Sequence, residues 1–143
     1  MKEFNAAFFS LYENVFIAHT KLHGIRNTLE FFTDLFSRTL GEAYLTAGFS
    51  RGNIDHFEKV VKERDEGVGL SVAFPLISPN KIIYQFLQDP FPNLKEFVNW
   101  KELDKTYLNF KVKFLLGDQW TYNTTQHIWD GYPFTEHVIF PEK

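Results

Sequence analysis

The densest set of chemistry-bearing side chains in this chain runs from Trp120 to His137, W-T-Y-N-T-T-Q-H-I-W-D-G-Y-P-F-T-E-H. It holds two of the three tryptophans, two of the five histidines and the carboxylates Asp130 and Glu136. A carboxylate beside His127 would raise the imidazole pKa and fix its tautomer, the preparation used for acid–base or metal work. The same pair on a surface is a weak cross-strand ion pair. Presented to an interior, Asn123, Thr125, His127 and Trp129 would orient a small ligand, with Asp130 and Glu136 beside them. His127, Asp130, Glu136 and His137 also offer metal donors, but their spacing follows no metal template.

Other constellations are weaker. His19 and His23 stand four apart, yet the sequence H-T-K-L-H lacks the glutamate of a zinc-protease helix, and the last turn of a helix favours histidine in any case. No G-x-S-x-G surrounds any serine, and there is no cysteine to serve as nucleophile, thiolate ligand or disulfide. Ser50-Arg51-Gly52-Asn53 precedes a helix but has no phosphate-loop spacing, so it reads as a loop and cap. Asp34, Glu42 and Asp104 read as single acids on solvated helix faces. The residues call for no metal and no cofactor.

These side chains need elements to position them. Residues 3–22 carry a helical stripe, Phe4, Ala7, Phe8, Leu11, Val15, Ala18 and Leu22, with a second row, Phe9, Tyr12 and Phe16, beside it. Gly24 stops this helix. Asn27 and Glu30 have the form of a capping box opening a second helix to Gly48, with Gly41 inside it marking a close approach. A third helix is expected over 53–65, with Phe57, Val60 and Val61 inward. The period then changes to two: Val68, Leu70, Val72 and Phe74 alternate with small residues, followed by a turn over 75–80 and a strand over 81–87. Asp89-Pro-Phe-Pro92 is a stiff connector, and Asn93 with Glu96 suggests a helix to Leu103. Leu108, Phe110, Val112, Phe114 and Leu116 alternate again, predicting a strand that turns at Gly117-Asp118 into a partner from residue 119 or 120. A last strand is expected over 135–140, after the turn Asp130-Gly131-Tyr132-Pro133.

The expected fold is one α+β domain over 1–143, its N-terminal helices packed on a four- to five-stranded, mainly antiparallel sheet, in the order α-α-α-β-β-α-β-β-β. In the expected hairpin, paired positions sum to 235, so Phe114 meets Thr121, Val112 meets Asn123 and Phe110 meets Thr125. An apolar face would then receive a polar row, at a cost of about 1–3 kcal/mol for each group left unpaired. Either a bulge turns Trp120, Tyr122 and Thr124 inward, or the strand is a wet edge, or Thr121, Asn123, Thr125 and His127 line a partly polar cavity. A symmetric second hairpin would set His127 opposite Glu136 and Trp129 opposite Phe134.

Composition bounds the function. The chain has 143 residues, 44% hydrophobic and 23% charged, and 17 phenylalanines, enough for one aromatic core. A net charge of −3 without a basic tract gives no footprint for nucleic acid. Apolar runs are too short to span a membrane, and Glu3 and Glu13 spoil a signal peptide, so a cytoplasmic location is the expectation. The leading functional reading is a non-enzymatic, sensor-type domain that binds a small, largely apolar molecule between helices and sheet, through Asn123, Thr125, His127, Trp129, Asp130 and Glu136. A second reading is a homo-oligomeric interaction module using the Phe9, Tyr12, Phe16 row. A third is a hydrolase or isomerase using His127 with Glu136 or Asp130.

Overall fold

The computed structural model describes residues 3–142. Three helices come first: α1 (Ala6–His23), α2 (Ile25–Ala47) and α3 (Ile54–Gly67). A hairpin of β1 (Val72–Ser78) and β2 (Lys81–Phe86) follows, then α4 (Trp100–Leu116), β3 (Trp120–Gln126) and β4 (Thr135–Pro141). The four strands form one antiparallel sheet in the order β1-β2-β4-β3. Helix α3 packs against β1 and α4 against β3, while α2 lies against α1, α3 and α4. This is the expected α+β architecture, helices on an antiparallel sheet, with four strands.

The stretch expected as a strand over 108–116 is instead the second half of α4. Leu108, Val112 and Leu116 are four apart as well as alternating, so they satisfy both periods. On the helix they join Leu103, Asp104, Tyr107, Lys111 and Leu115 in one buried stripe. Phe110 turns instead toward α2, its ring 3.5 Å from where a Cβ on Gly41 would stand, which is the close approach that glycine signalled. The hairpin at Gly117-Asp118 therefore does not exist; Gly117, at φ 130, ends α4, and its N–H donates to the Lys113 carbonyl.

Other corrections are local. Asn99, not Asn93, caps α4 by accepting from the Lys101 amide, and 92–94 is a single 3-10 turn. Asn27 caps nothing, because α2 already starts at Ile25; its amide donates to the His23 carbonyl. Pro75 lies within β1, not in a turn, at an irregularity between Ala73 and Leu76 on the sheet's edge, where a missing N–H is tolerated. Asn53 does cap α3, accepting from the His56 amide.

On α1 the two rows exchange roles. Phe9 and Phe16 are buried and Tyr12 stacks on Phe36, while Leu11 is 64% and Leu22 77% exposed. Burying a phenylalanine is worth roughly 1.5–3 kcal/mol, so the row with more rings faces the core. Glu13 is buried between them because its carboxylate accepts from the Asn93 amide (2.8 Å) and side-chain Nδ2 (3.0 Å). The small residue Gly69, at φ 79, admits the chain's own N-terminal segment: a Cβ there would overlap the Glu3 carbonyl.

Candidate functional site

Two polar groups from α4 meet the aromatic core. At one end of the buried stripe, Asp104 Oδ2 lies 3.1 Å from His127 Nε2, and Tyr107 Oη lies 3.2 Å from Asp104 Oδ1. One turn beyond Tyr107, Lys111 is 2% exposed, the sole buried lysine among the described residues. Its Nζ donates to Tyr84 Oη at 2.9 Å, and Tyr84 donates in turn to Asp65 Oδ2 in a short hydrogen bond. Asp65 Oδ1 is 3.8 Å from Nζ, an ion pair but too long for a hydrogen bond. The ammonium also sits 5.0 Å from the ring centre of Tyr84, 5.6 Å from Tyr107 and 5.7 Å from Phe86. Burial pushes the Lys111 pKa down, and Asp65 only partly offsets it. Burial pushes the Tyr84 and Tyr107 hydroxyls well up, helped by Asp65 and Asp104 respectively, so both remain protonated donors.

Lys111 and Asp65 line a cleft of about 70 Å³. Its apolar wall comes from Phe9 and Tyr12 on α1, Phe36 and Leu40 on α2, Phe86 on β2 and Phe91 in the connector. Arg64, whose guanidinium lies over the Phe8 ring at 5.6 Å, forms part of its border. An adjoining space of about 10 Å³ shares Phe86, Pro90, Phe91 and Tyr107 and reaches Asp104, His127 and Trp129. A buried water needs roughly 10–15 Å³. The larger space is several times that size, and the smaller is about the size of one water.

The 120–137 segment divides between this interior and the opposite side of the sheet. Strand β3 pairs Tyr122 with Ile139, Asn123 with Val138 and Thr124 with His137. Ile139 and His137 are fully buried, so Trp120, Tyr122 and Thr124 face the core, and Asn123 and Thr125 do not. Asn123 borders an open groove of about 450 Å³ along the edge of β3, with Trp100, Lys101 and Lys105. Thr125 sits at the register shift before Gln126, and its hydroxyl donates to Glu136 Oε2 at 2.8 Å. Glu136 pairs with Gln126, not His127, and its other oxygen accepts from Gln85 Nε2. Asp130 is exposed and accepts from Trp100 Nε1 at 3.1 Å. The expected polar row on a core face is thus broken up. Only His127 and Trp129 reach the interior, through the turn after β3.

His127 is held on every side. Its ring stacks on Trp100 at 4.6 Å with an interplanar angle of 14°. Its Nδ1 accepts from the Trp129 amide at 3.0 Å, so the proton resides on Nε2 and is donated to Asp104. Trp129 Nε1 donates to Asp89 Oδ2 at 2.8 Å. Burial raises the Asp89 pKa, opposed by its hydrogen bonds from Phe91 and Trp129. With both imidazole nitrogens committed, no lone pair is left for proton abstraction, and the partner is neither Glu136 nor Asp130. His137, by contrast, has Nδ1 2.9 Å from the Thr124 hydroxyl and a buried Nε2 with no partner among the described residues. Burial, reinforced by the neighbouring His127 and Lys111, pushes its pKa from 6.5 down to about 3.

Lys111, Asp104, Asp65, Tyr84 and Tyr107 carry the polar part of this interior. A helical reading of 104–116 would have flagged Asp104 and Lys111, since both fall on an otherwise apolar stripe. No group of three or more His, Asp or Glu side chains among the described residues converges on a metal position. No described helix is long and apolar enough to cross a membrane. The chain matches no protein-family model and no curated protein.

Proposed function

We propose that this protein is a non-enzymatic, sensor-type domain that binds a small, largely apolar molecule in the cleft between its helices and the β2 end of its sheet. The observation that carries the reading is the placement of Lys111. A lysine held inside a cage of aromatic rings, lining a cleft that is otherwise mostly apolar, supplies the single strong polar contact such a ligand needs. The cleft's size favours a short aliphatic or single-ring compound with one acceptor group, such as a carbonyl or carboxylate. The engaged imidazole of His127 supports binding over proton-transfer chemistry.

Thermal shift and ligand-observed magnetic resonance with short alcohols, aldehydes and carboxylates test this reading. Saturable binding of members of that set, lost when Leu40 is replaced by the bulkier tryptophan, is the expected result. No shift and no saturation transfer for the whole set overturns it. Self-association, the second reading, no longer rests on Phe9, Tyr12 and Phe16, which pack inward, although Leu11 and Leu22 on the same helix stay exposed.

A further inference from the structure

We propose that Lys111 captures small aldehydes covalently, forming a reversible imine inside the aromatic cleft, an inference that rests on the binding reading above. Three observations lead to it. An ammonium has three N–H donors, yet Nζ makes one hydrogen bond, to Tyr84. Apart from Asp65 Oδ1 at 3.8 Å, its surroundings are the rings of Phe86 and Tyr107, and Lys111 lines the cleft. Tyr84 bridges it to Asp65, giving the amine a route by which to lose a proton. The downward pressure of burial on its pKa acts in the same sense, enlarging the nucleophilic fraction.

The step balances without any further reactant. A proton passes from Nζ through the Tyr84 hydroxyl to the Asp65 carboxylate. The freed lone pair attacks the carbonyl carbon as the C=O π pair moves to oxygen. The second N–H proton moves to that oxygen, Asp65 returns the first, and water departs as the nitrogen lone pair closes the C=N bond, leaving the third proton on the iminium. One positive charge enters the step and one leaves it, so the aromatic cage holds the same charge before and after. The carbonyl's alkyl or aryl group occupies the space beside Phe86 and Phe91.

The test is reductive trapping. Native protein is incubated briefly with millimolar butanal and sodium cyanoborohydride at neutral pH, then digested and mapped for N-butyl lysine. Lys111 should be labelled on the order of tenfold faster than any exposed lysine, the gain expected from a preformed site. The excess should disappear in urea and be suppressed by butan-1-ol. Lys111→Arg, verified as folded by circular dichroism, should lose the fast-labelled site while the slow surface labelling continues. If butan-1-ol binds saturably but Lys111 labels no faster than surface lysines, the covalent inference fails and the binding reading stands. If no member of the alcohol, aldehyde and carboxylate set binds and Lys111 is not favoured, both fail.

Discussion

His127 Nε2 lies 3.1 Å from Asp104 Oδ2, joining the turn after β3 to the first turns of α4 across 23 residues of sequence. Both side chains are less than a tenth exposed, and the same carboxylate accepts from Tyr107. Asp104→Ala should lower the unfolding free energy by about 2–4 kcal/mol, because it leaves a buried imidazole N–H and a buried hydroxyl without an acceptor. Asp104→Asn, which keeps one acceptor oxygen, should cost less. Urea denaturation of the two variants checks the order; equal and small losses would contradict it.

His137 should make the fold acid-sensitive. Its folded pKa, about 3, is below its ordinary value of 6.5, so the unfolded chain binds the proton more tightly. The stability tied to its neutral form is fully present above pH 6.5 and is lost as the pH falls from there toward 3. The groups opposing its protonation are Lys111 on α4 and His127 in the turn, in addition to burial itself. Over that window the loss should be on the order of 5 kcal/mol. The measurable quantity is the difference in urea stability between wild type and His137→Gln across pH 7 to 4. That difference should shift against the wild type as the pH falls; a constant difference would contradict it.

Tyr44 is fully buried on α2, and its hydroxyl has no partner among the described residues. Removing an unsatisfied buried hydroxyl while keeping the ring relieves its desolvation cost. Tyr44→Phe should therefore be neutral or stabilising by about 1 kcal/mol, where most core substitutions destabilise. A loss above that magnitude in urea denaturation would show that the hydroxyl is satisfied in solution, by water or otherwise.

Much of the fold was legible because single-period segments admit one interpretation. Residues 25–47 and 54–67 are helical on any reading of their apolar spacing, and the strands at 81–86 and 135–141 alternate between buried and less buried positions. The 108–116 segment was not legible, since residues four apart fit periods of 2 and 3.6 equally. Read as a strand, the segment turns Lys111 to the side opposite Phe110 and Val112 and hides the carboxylate–histidine pair. On α1 the spacing of apolar residues did not say which row faces inward. Nor does local spacing mark Glu13 as buried, because its partner, Asn93, is 80 residues away. Asn123, Thr125, His127 and Trp129 share one parity, so simple alternation sets them on one face, with Glu136 opposite His127; the register shift between Thr124 and Gln126 and the turn after β3 separate them.

The Glu13–Asn93 contact sets the last expectation. Pro90 and Phe91 form one wall of the cleft, and they belong to a connector with little regular structure of its own beyond the turn at Pro92–Leu94. What docks that segment on α1 is a carboxylate accepting two hydrogen bonds from one asparagine, together with the packing of Phe91 on Phe9 at 5.7 Å. Hydrogen bonds to a charged acceptor are worth roughly 1.5–3 kcal/mol. Glu13→Ala should therefore release the connector before it unfolds the domain. Amides near residues 91–98 should exchange with deuterium faster, those of α4 should stay protected, and affinity for butan-1-ol should fall. Glu13→Gln keeps an acceptor oxygen and should show a weaker version of each effect. If Glu13→Ala accelerates exchange uniformly through α4 and the sheet, Glu13 stabilises the whole core and has no particular hold on the wall of the cleft.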